Sequence, residues 1–166
     1  MKAKPNPLLA EQILSNAQLK AIGCLAFHAT SLEKLIEDLI SLTVGADLGS
    51  LLLENKMFGG KLSILKTLLN RITDERLKRQ AKSLCERISS DNSSRNTVIH
   101  GEWQYNALNA LARGSAVAQK KQHSVKADEV IHLAHRFAAH YEDLIDLFAK
   151  VFDSDTEPDS LPDISE

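Results

Sequence analysis

The sequence predicts an all-α protein, an up-and-down bundle of four to five helices. Two patterns carry that expectation. Apolar residues recur about every 3.6 positions over long stretches, which is the period of one helix face. Strand-like alternation is confined to the region between about Gly101 and Gln122, where a short β-hairpin or an irregular excursion is expected between the fourth helical segment and the last. A chain of 166 residues, 43% of them apolar, forms one domain large enough to bury a core.

The first stripe runs through Leu14, Ala21, Leu25, His28, Leu32, Leu35, Leu39 and Leu42, so a long helix is expected from Leu8 to about Val44. Pro7 suits its first turn, and Gly45 and Gly49 close it. Glu33 falls among the apolar positions of this helix, where a carboxylate needs a partner. Residues 50–60 read as a connection, followed by a short helix at about 61–72 with Leu62, Leu65, Leu68 and Leu69 inward. Thr73 is the expected N-cap of the next helix, with Asp74 and Glu75 at its positive end. That helix carries Leu77, Ala81, Leu84 and Ile88 and then meets six polar residues, Ser89 to Ser94. Either it breaks there or tertiary packing holds it through. If it continues, its inner face passes onto Asp91 or Asn92, then Arg95 and Ile99, so polar groups replace apolar ones at one end of the bundle. The last helix begins at Ser124 or Lys126, carries Val130, Ala134, Phe137, Tyr141, Leu144, Phe148 and Val151, and ends near Phe152.

The densest chemistry lies in Arg95-Asn96-Thr97-Val98-Ile99-His100-Gly101. On a helix Asn96 and His100 are four apart and share a face, with Arg95 beside them. Arginine is a permanent bidentate phosphate binder, and histidine titrates near neutrality. RNA supplies its own nucleophile, the 2′-hydroxyl, so these groups form a minimal kit for a cut without a metal, with a second copy of the motif to protonate the leaving oxygen.

The motif resembles the Arg-x(4–6)-His signature of the HEPN superfamily, with Asn96 at the polar position after the arginine. The likeness extends over roughly residues 8–152: a long first helix with an embedded glutamate, a helix of the Gly-Lys-Leu-x-x-Leu-Leu kind at Gly60 to Leu69 (with Lys66 and Thr67 between Leu65 and Leu68-Leu69), Arg-Asn-x-x-x-His-Gly-x-Trp, and a final amphipathic helix. The resemblance implies a homodimer whose two motifs meet across a cleft. It also implies a metal-independent endoribonuclease, with Arg95, Asn96 and His100 catalytic. A toxin or defence role with an antitoxin or other regulatory protein as partner goes with it. The alternative within the same family is a noncatalytic adaptor that binds RNA or protein. Some toxin members carry a tyrosine two residues after the histidine; that place is Glu102 here, and Tyr105 does not match it.

Other candidates weigh less. Glu33 either pairs with a lysine or orients Arg95 from behind. Lys78, Arg79 and Lys82 form either a solvated face or a track that leads RNA to the motif. His28 reads as a core histidine or as a second group lining the cavity of His100. Glu129-x-x-His132 is half of a di-iron motif without a second copy, so His132 and His135 read as surface histidines and no metal or cofactor is expected. A phosphate-cradling glycine loop, a GxSxG elbow and a CxxC pair are all missing from the sequence.

Charge divides the chain. Residues 153–166 hold six acids and no Lys or Arg, so the net charge of −2 leaves about +4 on residues 1–152. The expected organisation is an extension over 1–7, a helical domain over 8–152 and a disordered acidic tail over 153–166. No apolar run reaches about 18 residues, Met1 to Pro7 lacks the apolar block of a signal peptide, and Cys24 and Cys85 read as free thiols. A cytoplasmic protein without membrane contact is therefore expected.

Overall fold

The computed structural model describes residues 15–100 and 126–154, apart from the side chains of His100 and Ser154. Its described residues form five helices: α1 Asn16–Val44, α2 Ala46–Leu53, α3 Phe58–Leu69, α4 Glu75–His100 and α5 Ala127–Ser154. The all-α bundle expected from periodicity is what the chain adopts. The expected hairpin lies outside the described residues, as do the N-terminal extension and the acidic tail beyond Ser154.

α1 starts at Asn16 and not near Leu8. Ser15 forms a capping box, its Oγ accepting from Gln18 N while the Gln18 side chain accepts from Ser15 N. The apolar face of α1 buries Ala21, Leu25, Ala29, Leu32, Ile36, Leu39 and Ile40. Gly45 ends the helix with φ at 90°, a value that favours glycine.

The segment expected as a connection is largely helical. α2 occupies Ala46–Leu53, and Gly49 sits inside it rather than closing α1. A Cβ at Gly49 would lie 2.8 Å from Ser41 Cα, so glycine permits this short helix to fold back tightly on α1. Packing, not helix propensity, sustains an eight-residue helix of this kind.

α3 begins at Phe58, three residues earlier than expected, because Phe58 is itself buried and packs edge-on against Phe137 of α5. The N-cap of α4 is Asp74 and not Thr73: Asp74 Oδ1 accepts from the backbone N–H groups of Arg76 and Leu77 at 2.6 and 3.0 Å. Those two bonds hold the Asp74 carboxyl below its ordinary range.

α4 and α5 run antiparallel. Arg87 meets Asp143, and Asp91 meets His140 and Arg136, so position rises on one helix as it falls on the other. α5 buries Val130, Leu133, Ala134, Phe137, His140, Leu144, Leu147 and Phe148. Leu133, His140 and Leu147 thus take inner places, whereas Tyr141 and Val151 of the expected stripe are only half-buried. Both cysteines are free; Cys85 is buried, and burial pushes its thiol up to about 11. None of the described helices is long and apolar enough to cross a membrane.

Candidate functional site

α4 does not break at its polar segment. It runs from Glu75 to His100, with Ile88, Asp91 and Val98 buried in turn. Six polar residues of modest helix propensity stay helical because the flanking face is packed against α5. The side-chain hydroxyls of Ser93, Ser94 and Thr97 each return a bond to a backbone carbonyl one turn back. The inner face therefore changes from apolar to polar at Asp91, as the helical projection required.

Asp91 is the hub of this end. It is 9% exposed. Arg136 Nε donates to both of its carboxylate oxygens, at 3.1 and 3.0 Å, and His140 Nε2 donates to Oδ2 at 2.9 Å. Burial alone would raise the carboxyl. The hydrogen bonds from Arg136 and His140 and their positive charge outweigh it, so Asp91 titrates below the usual carboxylate range. His140 is 5% exposed and packs edge-on to Phe137, so it holds Asp91 from within the core.

Arg95 follows Asp91 by one turn and is half-buried. Its Nη1 donates to Asn96 Oδ1 at 3.2 Å. Its Nε is shielded from solvent and has no hydrogen-bond partner among the described residues, and the same holds for Asn92 Oδ1. An unmet buried polar atom costs about 1–3 kcal/mol. Both lie on one helix, three residues apart, at the polar end of the seam. His100 is the last residue of α4, four positions after Asn96; its side chain lies outside the described residues.

Glu33 does not reach Arg95. It is held by Lys61 of α3 at 2.5 Å, and Lys61 also bonds Glu37 at 2.6 Å. Burial works against the Lys61 charge, but the two carboxylates prevail and raise its pKa. The glutamate on the apolar stripe thus has the lysine partner that its surroundings demand.

Lys78, Arg79 and Lys82 do not join the motif either. Arg79 precedes Arg95 by 16 residues, about 24 Å along the helix. Lys78 pairs with Glu75 at 3.3 Å. Arg79 and Arg87 line an open groove with Asp143, Asp146 and Lys150, where both signs are present. His28 is half-buried with its ring edge-on to Phe27, and His132 and His135 are exposed. Among the described residues no three His, Cys, Asp or Glu side chains gather as a metal site.

Arg136 and His140 were not legible as site residues. Their i,i+4 spacing on α5 gave one cue, but only the antiparallel register brings both onto Asp91. Comparison with protein-family models, with curated proteins and with solved structures gave no match.

Proposed function

We propose that the chain is a metal-independent endoribonuclease of HEPN type that acts as a homodimer on single-stranded RNA. The observation that supports this reading is the unbroken course of α4. It brings Arg95 and Asn96 to the polar end of the α4–α5 seam and puts His100 four residues further on the same helix.

His100 takes the proton of the ribose 2′-hydroxyl, whose oxygen attacks the adjacent phosphorus. Arg95 stabilises the added negative charge of the transition state, and Asn96 holds the Arg95 guanidinium through the Nη1–Oδ1 bond. The bond from phosphorus to the 5′-oxygen breaks, and His100 of the partner subunit protonates that oxygen. The products are a 2′,3′-cyclic phosphate and a 5′-hydroxyl. One histidine cannot serve both transfers at once, which is the reason for a dimer.

The test is cleavage of a labelled single-stranded RNA in EDTA at high protein concentration, with sedimentation to fix the oligomeric state. The wild-type dimer is expected to cleave, and His100→Ala to be inactive with its helical circular dichroism intact. Arg95→Ala is expected to lose about 100-fold or more, and Asn96→Ala less. Equal cleavage by wild type and His100→Ala contradicts the proposal. RNA binding without cleavage by either protein supports the noncatalytic adaptor instead.

A further inference from the structure

We infer that Arg136 is a second phosphate contact for single-stranded RNA and that the nucleic acid backbone lies across the α4–α5 seam between Arg95 and Arg136; this rests on the RNA reading above.

The geometry of Arg136 carries the inference. Its Nε is occupied by both oxygens of Asp91, and its terminal Nη groups make no hydrogen bond among the described residues. The side chain is 51% exposed, although its acidic partner is only 13% exposed. An arginine held at Nε by a buried carboxylate keeps its guanidinium in one place and leaves Nη donors available to a further anion. That is preorganisation for an anion, because little rotamer entropy remains to be lost on binding.

Register places the two arginines together. Asp91 touches residues 136 and 140 of α5, and the helices are antiparallel, so the residue one turn after Asp91 stands level with the turn from His132 to Arg136. That residue is Arg95. Packed helix axes lie about 8–10 Å apart, a separation that one stretch of nucleic acid backbone can bridge.

Charge at this place favours an anion. Further along the seam Arg87 is neutralised by Asp143. Here one buried carboxylate, Asp91, faces Arg136 and His140, and Arg95 bonds only the neutral Asn96. The acids nearest Arg136 along α5, Glu142 six residues after it and Glu129 seven before it, are both exposed and stand about 9–10 Å away along the helix.

The experiment measures binding of a fluorescein-labelled single-stranded RNA by anisotropy across a salt series, in the His100→Ala chain so that the probe survives. Arg136→Gln is expected to weaken binding for every RNA sequence and to lower the slope of log affinity against log salt by about 0.7, the value of one single-strand phosphate contact. Arg136→Lys keeps the slope, and Arg87→Gln changes neither slope nor affinity. A purely structural Arg136 would alter melting and leave the slope alone. If Arg136→Gln loses its helical circular dichroism, the double variant Asp91→Asn with Arg136→Gln replaces it, since it leaves no buried charge unpaired, and the same slope decides. An unchanged slope with RNA bound overturns this inference alone. No RNA binding by the parent chain at low salt overturns both this inference and the RNA reading.

Discussion

Between Arg79 and Arg87, α4 faces Asp143, Asp146 and Lys150 of α5 across an open groove. Between Asp91 and Val98 the same two helices bury a carboxylate and one of its partners, His140, while the other, Arg136, reaches out to solvent. Both stretches contain arginines and acids, yet they differ in what those charges do. In the first, Arg87 and Asp143 are each 52% exposed, and water screens a pair that adds little. In the second, Asp91 is shielded, so each hydrogen bond to it is strong and each missing partner is costly. Exposure, not residue type, separates a solvated ion pair from a polar centre.

The largest expected effect is at the hub. Asp91→Ala strands buried His140 and half-exposed Arg136 together. Breaking a fully buried pair costs about 3–5 kcal/mol, and the exposure of Arg136 reduces that to about 2–3 kcal/mol. Urea denaturation measures it. A loss below that of Asp143→Ala would erase the distinction between the two halves of the seam.

Acid titration sharpens the same contrast. The Asp91 carboxyl is held below its unfolded value, so its contribution is complete above the ordinary carboxylate range and is lost as pH falls through its depressed folded value. Asp91→Asn should therefore flatten the acid limb of stability. A parallel acid limb in Asp91→Asn and wild type would contradict the role given to this carboxylate.

Glu33→Ala is expected to cost about 1 kcal/mol, because Glu37 remains on Lys61, and to leave RNA affinity unchanged. A marked loss of RNA affinity in that variant would return Glu33 to the site. The smallest effect belongs to Arg87→Ala, below about 1 kcal/mol in melting experiments.

What the sequence made legible follows a physical line. The positions of Leu77, Ala81, Leu84 and Ile88 project directly onto Asp91 and Arg95, because a helix repeats its face every 3.6 residues. The all-α class was therefore readable, and the inward turn of polar residues was one of two courses left open until packing is seen to keep α4 unbroken. α2 was not readable, since a helix of eight residues containing Gly49 has weak local propensity and lies close against Ser41 of α1, a packing the sequence pattern does not announce. The partners of Glu33 and Asp91 were hidden for a related reason. Lys61 is 28 residues from Glu33, and His140 is 49 from Asp91, so their pairing is a fact of packing and not of local spacing. His140 was also obscured by its neighbours, because the apolar stripe through Phe137, Tyr141 and Leu144 accounts for the face without it.

The most direct test maps RNA contact along both helices at once. Backbone amide shifts of the His100→Ala chain are followed as a short single-stranded RNA is added. The account expects shifts clustered at residues 91–99 and 132–140, with residues 79–87 and 143–150 silent. Shifts confined to the Arg79–Arg87 stretch, or none at saturating RNA, would contradict it.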